Sequence, residues 1–304
     1  MPGNPVTPVS LLEAGPTDRT VDRRAAALPP MGTGSPSADA GFAAVDDATD
    51  PISLVHYLDR VSGQLDGVKR QIRQQLEVSE GEFVLDVGCG AGDEACGLSA
   101  LVGLSGRIIG VDASTTMVQE ARRRATGSAV AVGFAIGDAQ ALPFAAASFD
   151  ACRAERVLQH LRHPALAVTE MARVTRAGGR VVVCEPDWQT LVVDHPDHAL
   201  TQRILDFRAG RLQSPWIGRQ LARLFRCAGL VEISVRLVSV AFGLSEAIDS
   251  FRLEVTLRQA TQAGVITATD KSHWLAELTE TAQTGCFVAA ATCFLVRGIK
   301  PFRA

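Results

Sequence analysis

The chain has 304 residues, 47% of them hydrophobic, and a formal net charge of −3, which suits one α/β core with an added segment. The near-neutral charge and the lack of a long basic run argue against a nucleic-acid-binding protein. No apolar stretch is long enough to span a bilayer, and the N-terminus lacks the pattern of a secretory signal. Seven cysteines without a C-x-x-C pair indicate reduced thiols, so we expect a cytoplasmic protein without a metal site.

The chain begins with two regions of different character. Residues 1–45 are rich in Pro, Gly, Ala, Thr and Ser and show no sustained period, which predicts a disordered leader. Within residues 46–80, apolar side chains recur every three or four positions, which predicts amphipathic helix. These side chains are Leu54, Leu58, Val61, Leu65, Val68, Ile72 and Leu76. Gly63 and Gly67 weaken the pattern, so it can split into two helices.

The most informative segment is a glycine-rich turn. An apolar strand stops at Val87, and Gly88, Gly90 and Gly92 follow before a helical segment begins. Such a turn lets the backbone and a helix N-terminus approach a ligand. The spacing is G-x-G-x-G, whereas dinucleotide-binding turns use G-x-G-x-x-G. Asp86 also precedes the turn, and its carboxylate would repel a pyrophosphate but suit a cationic amine. This pattern favours S-adenosylmethionine over NAD.

Three further acidic residues follow predicted strands. Asp112 ends an apolar strand and lies 20 residues after Gly92, where nucleotide-binding units place a carboxylate that accepts from ribose hydroxyls. Asp138 follows the next strand, and Glu155 follows the one after that. The carboxyl ends of parallel strands meet at one edge of a sheet, which is where ligands bind. We therefore expect these carboxylates to lie near one another.

Strands and helices alternate through the middle of the chain, which predicts a parallel, doubly wound sheet. The predicted strands lie near 83–87, 107–111, 130–136, 149–154 and 180–185. The predicted helices between them lie near 92–102, 115–125 and 164–175. After residue 185 the pattern predicts helices at 197–211 and 216–228, a strand at 231–238, a helical stretch at 244–283 and a last strand at 287–296.

Taken together, these motifs resemble those of the class I S-adenosylmethionine-dependent methyltransferases. The similar branch is that of small-molecule enzymes such as the ubiquinone and menaquinone C-methyltransferases, and the motifs cover roughly residues 80–190. The resemblance implies a Rossmann-like α/β fold with a seven-stranded, mostly parallel sheet and an antiparallel last strand. It also implies a helical lid at 46–80 and a methyltransferase domain at 81–304. Cap helices at about 190–215 and 241–284 are expected to cover the active site.

The resemblance also implies a set of cofactor-binding residues. Asp112 is expected to accept from the ribose hydroxyls and Asp138 from the adenine amine. Met117 would pack either on adenine or in the core, and Tyr57 would either reach the methionine end of the cofactor or pack in the lid. The full set is Tyr57, Asp86, Gly88, Cys89, Gly90, Gly92, Asp112, Ala113, Met117, Asp138, Ala139 and Glu155.

Methyl transfer from a sulfonium needs few dedicated side chains, because positioning and exclusion of water do most of the work. The candidate catalytic residues are His160, Glu155 and Asp187, with His195 as a further base. His160 also has a structural interpretation, a hydrogen bond to the local backbone, and Glu155 has one, a salt bridge with a neighbouring arginine. Trp188 would either support an aromatic acceptor or pack in the core.

Six arginines follow in the first cap segment, and we interpret them as solvent-exposed charges. A phosphorylated or carboxylated acceptor is the alternative explanation for arginines that point inward. The six are Arg203, Arg208, Arg211, Arg219, Arg223 and Arg226.

These observations predict an enzyme that moves a methyl group from S-adenosylmethionine to a carbon, nitrogen or oxygen of a small, largely apolar metabolite. Secondary-metabolite biosynthesis is the expected context, and a homodimer is one possible assembly. Two alternatives stay open. A catalytically inactive S-adenosylmethionine-binding or regulatory protein predicts binding without turnover. An NAD-dependent oxidoreductase predicts a different glycine spacing and no aspartate at position 138.

Overall fold

The computed structural model describes residues 41–126 and 132–302, and a single sheet lies at the centre of this part of the chain. Its strands are β1 (Phe83–Val87), β2 (Arg107–Asp112), β3 (Val132–Ile136), β4 (Phe149–Glu155), β5 (Thr175–Pro186), β6 (Val192–Val193), β7 (Val231–Phe242) and β8 (Ala289–Ile299). The order is β3-β2-β1-β4-β5-β8-β6, and β7 pairs with β8.

The first five strands are parallel, whereas β8 is antiparallel to β5 and β7. The predicted α/β fold, with a mostly parallel sheet and an antiparallel last strand, is therefore confirmed. Two details differ from the prediction. The two-residue β6 is an additional strand, and β5 begins at Thr175 rather than near residue 180, because Thr175 pairs with Phe149 before a register shift.

Ten α-helices accompany the sheet in the described residues, and most begin close to their predicted positions. They are α1 (Pro51–Ser62), α2 (Asp66–Leu76), α3 (Asp93–Val102), α4 (Thr115–Arg124), α5 (Pro164–Val174), α6 (His198–Ala209), α7 (Ile217–Cys227), α8 (Leu244–Ser250), α9 (Leu253–Gln262) and α10 (Ala268–Gln283). A 3-10 turn over Gly63–Leu65 separates α1 from α2, as the two glycines predict. Among the helices of the described ranges, none combines the length and apolarity of a membrane span.

The segment before α1 is ordered further upstream than predicted. Residues 1–40 of the predicted leader lie outside the described residues, but two 3-10 turns occur between residues 41 and 47. Val45 is buried in an apolar cluster with Met117. The Asp46 carboxylate accepts hydrogen bonds from the Ser114 hydroxyl, at 2.6 Å, and from backbone N–H groups at the start of α4. The expected boundary at residue 45 is thus wrong, because this segment packs on the sheet edge.

Both faces of the sheet are covered, as a doubly wound fold requires. Leu85 and Val183 belong to the core beneath α5 and α7. Val84 and Ile108 face the other way, into the core beneath α2 and α3. Neighbouring residues of β1 therefore pack into opposite cores, which holds the strand on both faces. The position of the turn that follows β1 is fixed by this packing.

Helices α6, α8, α9 and α10 lie within the ranges predicted for the cap, and they share an apolar cluster of their own. Trp274 is fully buried there, and its indole N–H donates to the Thr201 hydroxyl at 2.8 Å. The His195 ring stacks on Trp274 at 5.5 Å between centroids. Phe251 belongs to the same cluster. The helices of this segment are therefore held together by a core that they share with β6, β7 and β8, and that differs from the two cores described above.

Candidate cofactor and active site

The glycine turn has a conformation that larger residues do not readily adopt. Gly88 has φ +65°, and a Cβ atom there would lie 2.3 Å from a methyl group of Val157. Gly92, which precedes α3, has φ +86°, and its Cβ would lie 2.8 Å from Ala121. Left-handed backbone combined with contacts this close selects glycine at both positions. The close packing brings the turn against the loop after β4.

The N–H groups of this turn point mainly into the protein. Gly88 and Cys89 donate to the Val111 carbonyl at 2.7 and 3.1 Å. Gly90 donates to Asp112 Oδ2 at 2.9 Å, and Gly92 donates to the Cys89 carbonyl at 3.0 Å. Our expectation that the turn offers its backbone N–H groups to a ligand is therefore wrong for these four groups. A turn whose donors are already used makes a poor pyrophosphate cradle.

Asp112 joins three segments at the sheet edge. Besides Gly90, its carboxylate accepts from the Ser114 N–H at 2.9 Å, and its carbonyl accepts from the Gly137 N–H at 3.0 Å. Burial raises the pKa of Asp112, and hydrogen bonds from backbone N–H groups oppose this rise. Asp138, one residue further, is exposed and accepts from the Gln140 N–H at 2.8 Å. The two predicted adenosine contacts thus lie on connected turns.

The remaining predicted adenosine contacts differ in exposure. Ala113 is exposed, whereas Ala139 is buried. Met117 is fully buried in the cluster with Val45 and Ala91. Of the two interpretations of Met117, the structure favours core packing. The ligand contacts of the other two stay predictions.

Beneath the glycine turn lies a buried group of charges. Arg153 donates to Asp86 Oδ1 at 3.0 Å and to Glu155 Oε2 at 2.6 Å. Their second oxygens, Asp86 Oδ2 and Glu155 Oε1, are buried and accept no hydrogen bond. Burial raises the pKa of Asp86 to about 6, against the lowering effect of Arg153. A buried carboxylate oxygen without a donor is costly, so these two oxygens mark a place for a ligand with N–H groups.

These charges form the wall of a cleft with about 520 Å³ of empty volume, part of it open to solvent. The residues that line it include Asp86, Gly88, Cys89, Gly90, Glu155, Leu58, Ser62 and Lys69. The α-ammonium group of S-adenosylmethionine carries three N–H donors and a positive charge. It therefore fits a wall with two carboxylate oxygens that lack donors.

Tyr57 is not among the residues that line this cleft. Its hydroxyl donates to the Ser250 carbonyl at the end of α8, at 3.1 Å, and its ring lies 5.4 Å from that of Phe42. The lid residues at the cleft are Leu58, Ser62 and Lys69 instead. The prediction that Tyr57 contacts the cofactor is not supported, because its hydroxyl is turned towards the predicted cap.

His160 ends a 3-10 turn after β4, and its ring lies 5.8 Å from that of Phe42. Burial, followed by the charges of Arg156, Arg208 and Arg252, lowers the pKa of His160 to about 3. The imidazole is therefore neutral in this state and a weak base. Glu185 holds the start of this turn by accepting from the N–H groups of residues 157 and 158, both at 2.7 Å.

The other two candidate bases are used elsewhere. Asp187 is fully buried and accepts from Arg219 Nη2 at 2.7 Å and from the Gln189 N–H at 3.1 Å. Nδ1 of His195 accepts from the Asp197 N–H at 3.0 Å, within the core around Trp274. These local partners do not support Asp187 or His195 as the base, and a catalytic role for either residue stays a prediction.

Comparison with known proteins decides the family. The family described as "Methyltransferase domain" matches residues 85–183. A demethylmenaquinone methyltransferase of Staphylococcus aureus is 31% identical over 183 residues, which cover 55% of this chain and 76% of that protein. The chain belongs to the class I S-adenosylmethionine-dependent methyltransferases.

Two further proteins are similar to this chain. An uncharacterised protein of 37.1 kDa in transposon TN4556 of Streptomyces fradiae is 38% identical over 249 residues, covering 80% of this chain and 70% of that protein. Phosphoethanolamine N-methyltransferase 2 of Haemonchus contortus, solved with phosphomonomethylethanolamine and S-adenosylhomocysteine, superposes with a TM-score of 0.56 at 17% identity. It covers 86% of this chain and 61% of that one. At this identity the similarity concerns the fold.

Several charged residues of the methyltransferase site were missed at the level of sequence. Lys69 Nζ lies 3.4 Å from Glu94 Oε1, which also accepts from Arg73 at 2.9 Å. Charges on helices are usually solvated, which is why these received no role. A signal was nevertheless present, because Lys69 stands on the apolar side of α2 and Arg153 interrupts an apolar strand. Among the described residues, no group of three or more His, Cys, Asp or Glu side chains is placed to hold a metal ion.

The cap arginines fall into two groups. Five of them are exposed, as predicted, namely Arg203, Arg211, Arg219, Arg223 and Arg226. Among these five, Arg219 pairs with Asp187. Arg208 differs, because it is half-buried and its guanidinium carbon lies 3.7 Å from the centre of the Trp188 ring.

Proposed function

We propose that this methyltransferase transfers the methyl group of S-adenosylmethionine to a small, largely apolar metabolite, with secondary metabolism as its context. The observation that carries the cofactor assignment is the pair of buried oxygens, on Asp86 and Glu155, that lack donors beside the glycine turn. The similarity to an enzyme named for demethylmenaquinone supports a small acceptor. The free cysteines of the described residues support a reducing, cytoplasmic location.

The cofactor would be held at both ends. Asp86 and Glu155 would accept from the α-ammonium group, while Asp112 would accept from the ribose hydroxyls and Asp138 from the adenine amine. When bound, S-adenosylmethionine supplies an electrophilic methyl group on a sulfonium that is already a good leaving group. The protein then has to orient the acceptor and exclude water rather than activate the methyl group.

The helical lid would exclude water from the cofactor cleft. Leu58 of α1 lies against Gly90, where an added Cβ would be 3.1 Å from the leucine side chain, and Tyr57 connects α1 to the end of α8. A bound S-adenosylmethionine would give up its methyl group to the acceptor with the bonding electron pair left on sulfur, and these lid contacts would keep water away. A base contributes only where the acceptor must also lose a proton. Of the predicted bases, Glu155 lines the cleft and the neutral His160 lies beside Phe42. These two residues are the candidates for such a base.

Two measurements test this proposal. Isothermal calorimetry on the purified chain should show binding of S-adenosylmethionine and no comparable binding of NAD. Transfer of a labelled methyl group is then assayed with a panel of quinones, phenols, isoprenoids and amines. Tight NAD binding without S-adenosylmethionine binding would overturn the proposal, and cofactor binding with no transfer to any acceptor would favour a binding or regulatory protein.

A further inference from the structure

The charges of three arginines from distant parts of the chain act on His160. Arg156 belongs to the loop after β4, Arg208 to α6, and Arg252 to the junction of α8 and α9. All three are half-buried, and their charges together act on the pKa of His160. Convergence of like charges is unfavourable unless an opposite charge joins them.

In the described part of the chain, Arg156 alone of the three has a carboxylate within 4.0 Å. No carboxylate there lies within 4.0 Å of the Arg208 or Arg252 guanidinium. The Arg156 side chain comes closest to an acid, with Nε 3.9 Å from Glu155 Oε1, but this nitrogen makes no hydrogen bond. Glu155 is itself bound by Arg153 at 2.6 Å. The three guanidinium groups therefore keep most of their donors for another partner.

Arg208 is held in place without an anion. Its guanidinium carbon lies 3.7 Å from the centre of the Trp188 ring, and its Nε is buried without a hydrogen-bond partner. The indole N–H of Trp188 donates to Gln159 Oε1 at 2.7 Å, which fixes the ring. Burial lowers the pKa of Arg208 to about 10, and the charge of Arg252 acts in the same direction. Stacking orients the guanidinium plane but leaves its edge free for a planar or tetrahedral anion.

The other two arginines occupy unusual backbone positions. Arg252 has φ +50° and Arg156 has φ +55°. The Arg252 guanidinium carbon lies 5.9 Å from the centre of the Tyr57 ring, whose hydroxyl donates to the Ser250 carbonyl. Left-handed backbone is unfavourable for a residue with a long side chain and persists where the surrounding structure holds it. Both arginines are therefore directed by tertiary contacts rather than by local preference.

The arginine group adjoins the cofactor cleft. Arg156 lines the cleft together with Glu155 and Gly88. Phe42 and Tyr57 form a row of rings that continues to His160. The group thus connects the cleft with the lid and with segments of the predicted cap.

We propose that Arg156, Arg208 and Arg252 bind an anionic group, a carboxylate or a phosphate, carried by the methyl acceptor. The apolar remainder of the acceptor packs on Trp188 and Tyr57. This inference rests on the proposed function and narrows it, because a neutral quinone or terpene would leave the charges of Arg208 and Arg252 without an opposite charge. It also revises our interpretation of Arg208 as a solvent-exposed charge.

The test compares matched pairs of ligands that differ in charge. Protein saturated with S-adenosylhomocysteine is titrated calorimetrically with salicylate against methyl salicylate, and with phenyl phosphate against phenol. We expect the anion of at least one pair to bind about tenfold or more tightly than its neutral partner. The pair that shows the larger ratio distinguishes a carboxylate from a phosphate.

Arginine variants then test which residues cause the preference for the anionic ligand. Arg208→Met and Arg252→Met should each reduce it by about tenfold, whereas Arg208→Lys should retain part of it because the charge remains. Arg203→Met, on the exposed side of the same helix, is the matched control and should leave the preference unchanged. S-adenosylmethionine affinity within twofold of the wild-type value shows that each variant is folded.

The outcomes separate the two proposals. Equal affinity for anionic and neutral ligands in both pairs, or an unchanged preference in both Arg208→Met and Arg252→Met, would overturn the anion site while leaving cofactor binding and methyl transfer intact. Absence of S-adenosylmethionine binding in the wild-type protein would overturn the proposed function itself.

Discussion

The cofactor edge of the sheet and the helical segment after β5 differ in how their residues come together. At the cofactor edge, Asp86, Gly88 and Gly92 follow one another within a single strand, turn and helix. In the later segment, Arg208 and Arg252 both act on His160 although Arg208 lies on α6 and Arg252 lies at the junction of α8 and α9. Contiguous motifs therefore identify a cofactor, whereas the acceptor side depends on long-range packing.

The two regions also differ in how their charges are balanced. Near the glycine turn, Arg153 and Lys69 face Asp86, Glu94 and Glu155 within one network. Around His160, Arg208 and Arg252 face no carboxylate of the described chain within 4.0 Å, and Arg156 lies 3.9 Å from Glu155, which Arg153 already binds. The first region suits a ligand with a cationic end, and the second suits an anionic one. Variants in the first region should therefore alter folding or cofactor binding, and variants in the second should alter acceptor binding.

The largest expected effect is at Arg153. Arg153→Met leaves Asp86 and Glu155 buried without their cation, and breaking a buried ion pair costs about 3–5 kcal/mol. We expect the free energy of unfolding, measured with denaturant, to fall by about that amount. Arg107→Met, at an exposed position of β2, is the control and should change stability by less than about 0.5 kcal/mol. Similar losses in both variants would contradict the network.

The next effect is on cofactor affinity. Asp112→Ala removes an acceptor that holds Gly90 and is expected to accept from the ribose. The binding free energy of S-adenosylmethionine should weaken by about 1–3 kcal/mol, measured by calorimetry. Glu254→Ala, exposed on α9, should leave the affinity unchanged. Unchanged affinity in Asp112→Ala would remove this residue from the site.

A substitution in the apolar core of the second region should lower stability without lowering cofactor affinity. Trp274→Phe removes the N–H bonded to Thr201 and leaves a small gap in a fully buried position. We expect a loss of about 1–3 kcal/mol in the free energy of unfolding, with S-adenosylmethionine affinity within twofold of wild type. Trp216→Phe is the matched control, because Trp216 is 46% exposed. A large loss of cofactor affinity in the folded Trp274→Phe protein would show that the two regions are coupled.

The pH dependence of cofactor binding sharpens the comparison further. Burial raises the pKa of Asp86 to about 6, so the carboxylate is ionised above this pH and protonated below it. A cationic ammonium binds the ionised form, hence affinity should be highest above about pH 7 and fall by up to about tenfold per pH unit below 6. Asp86→Asn should remove this dependence. A wild-type affinity that rises on acidification would contradict the assignment.

The smallest effect is expected at the segment before α1. Asp46→Ala removes an acceptor for the Ser114 hydroxyl and for the N–H groups of residues 115 and 116. Loss of such a cap costs about 0.5–2 kcal/mol. Asp47→Ala is the control, because this neighbouring side chain is exposed and makes no hydrogen bond in the described structure. Thermal unfolding should show a lower midpoint for Asp46→Ala alone.

Particular residues show why part of the site was predictable. Gly88 and Gly92 follow a strand at a spacing that few structural turns require, and Asp112 ends the next strand. Arg153 could not be assigned a partner, because its pairing with Asp86 depends on β1 and β4 being neighbours in register. The ion pair between Asp187 and Arg219 was missed for a similar reason, since Arg219 reaches Asp187 only after α7 packs on the sheet.

By itself the sequence determined the alternation of strands and helices, the glycine turn and the acidic strand ends, because these depend on interactions between residues close in the chain. The tertiary structure decided which charges are buried together. Six arginines recur in the first cap segment, yet Arg208 alone among them stacks on Trp188 beside His160. The rotation of a helix about its axis and the register of a strand follow from packing, and short-range patterns do not contain that information.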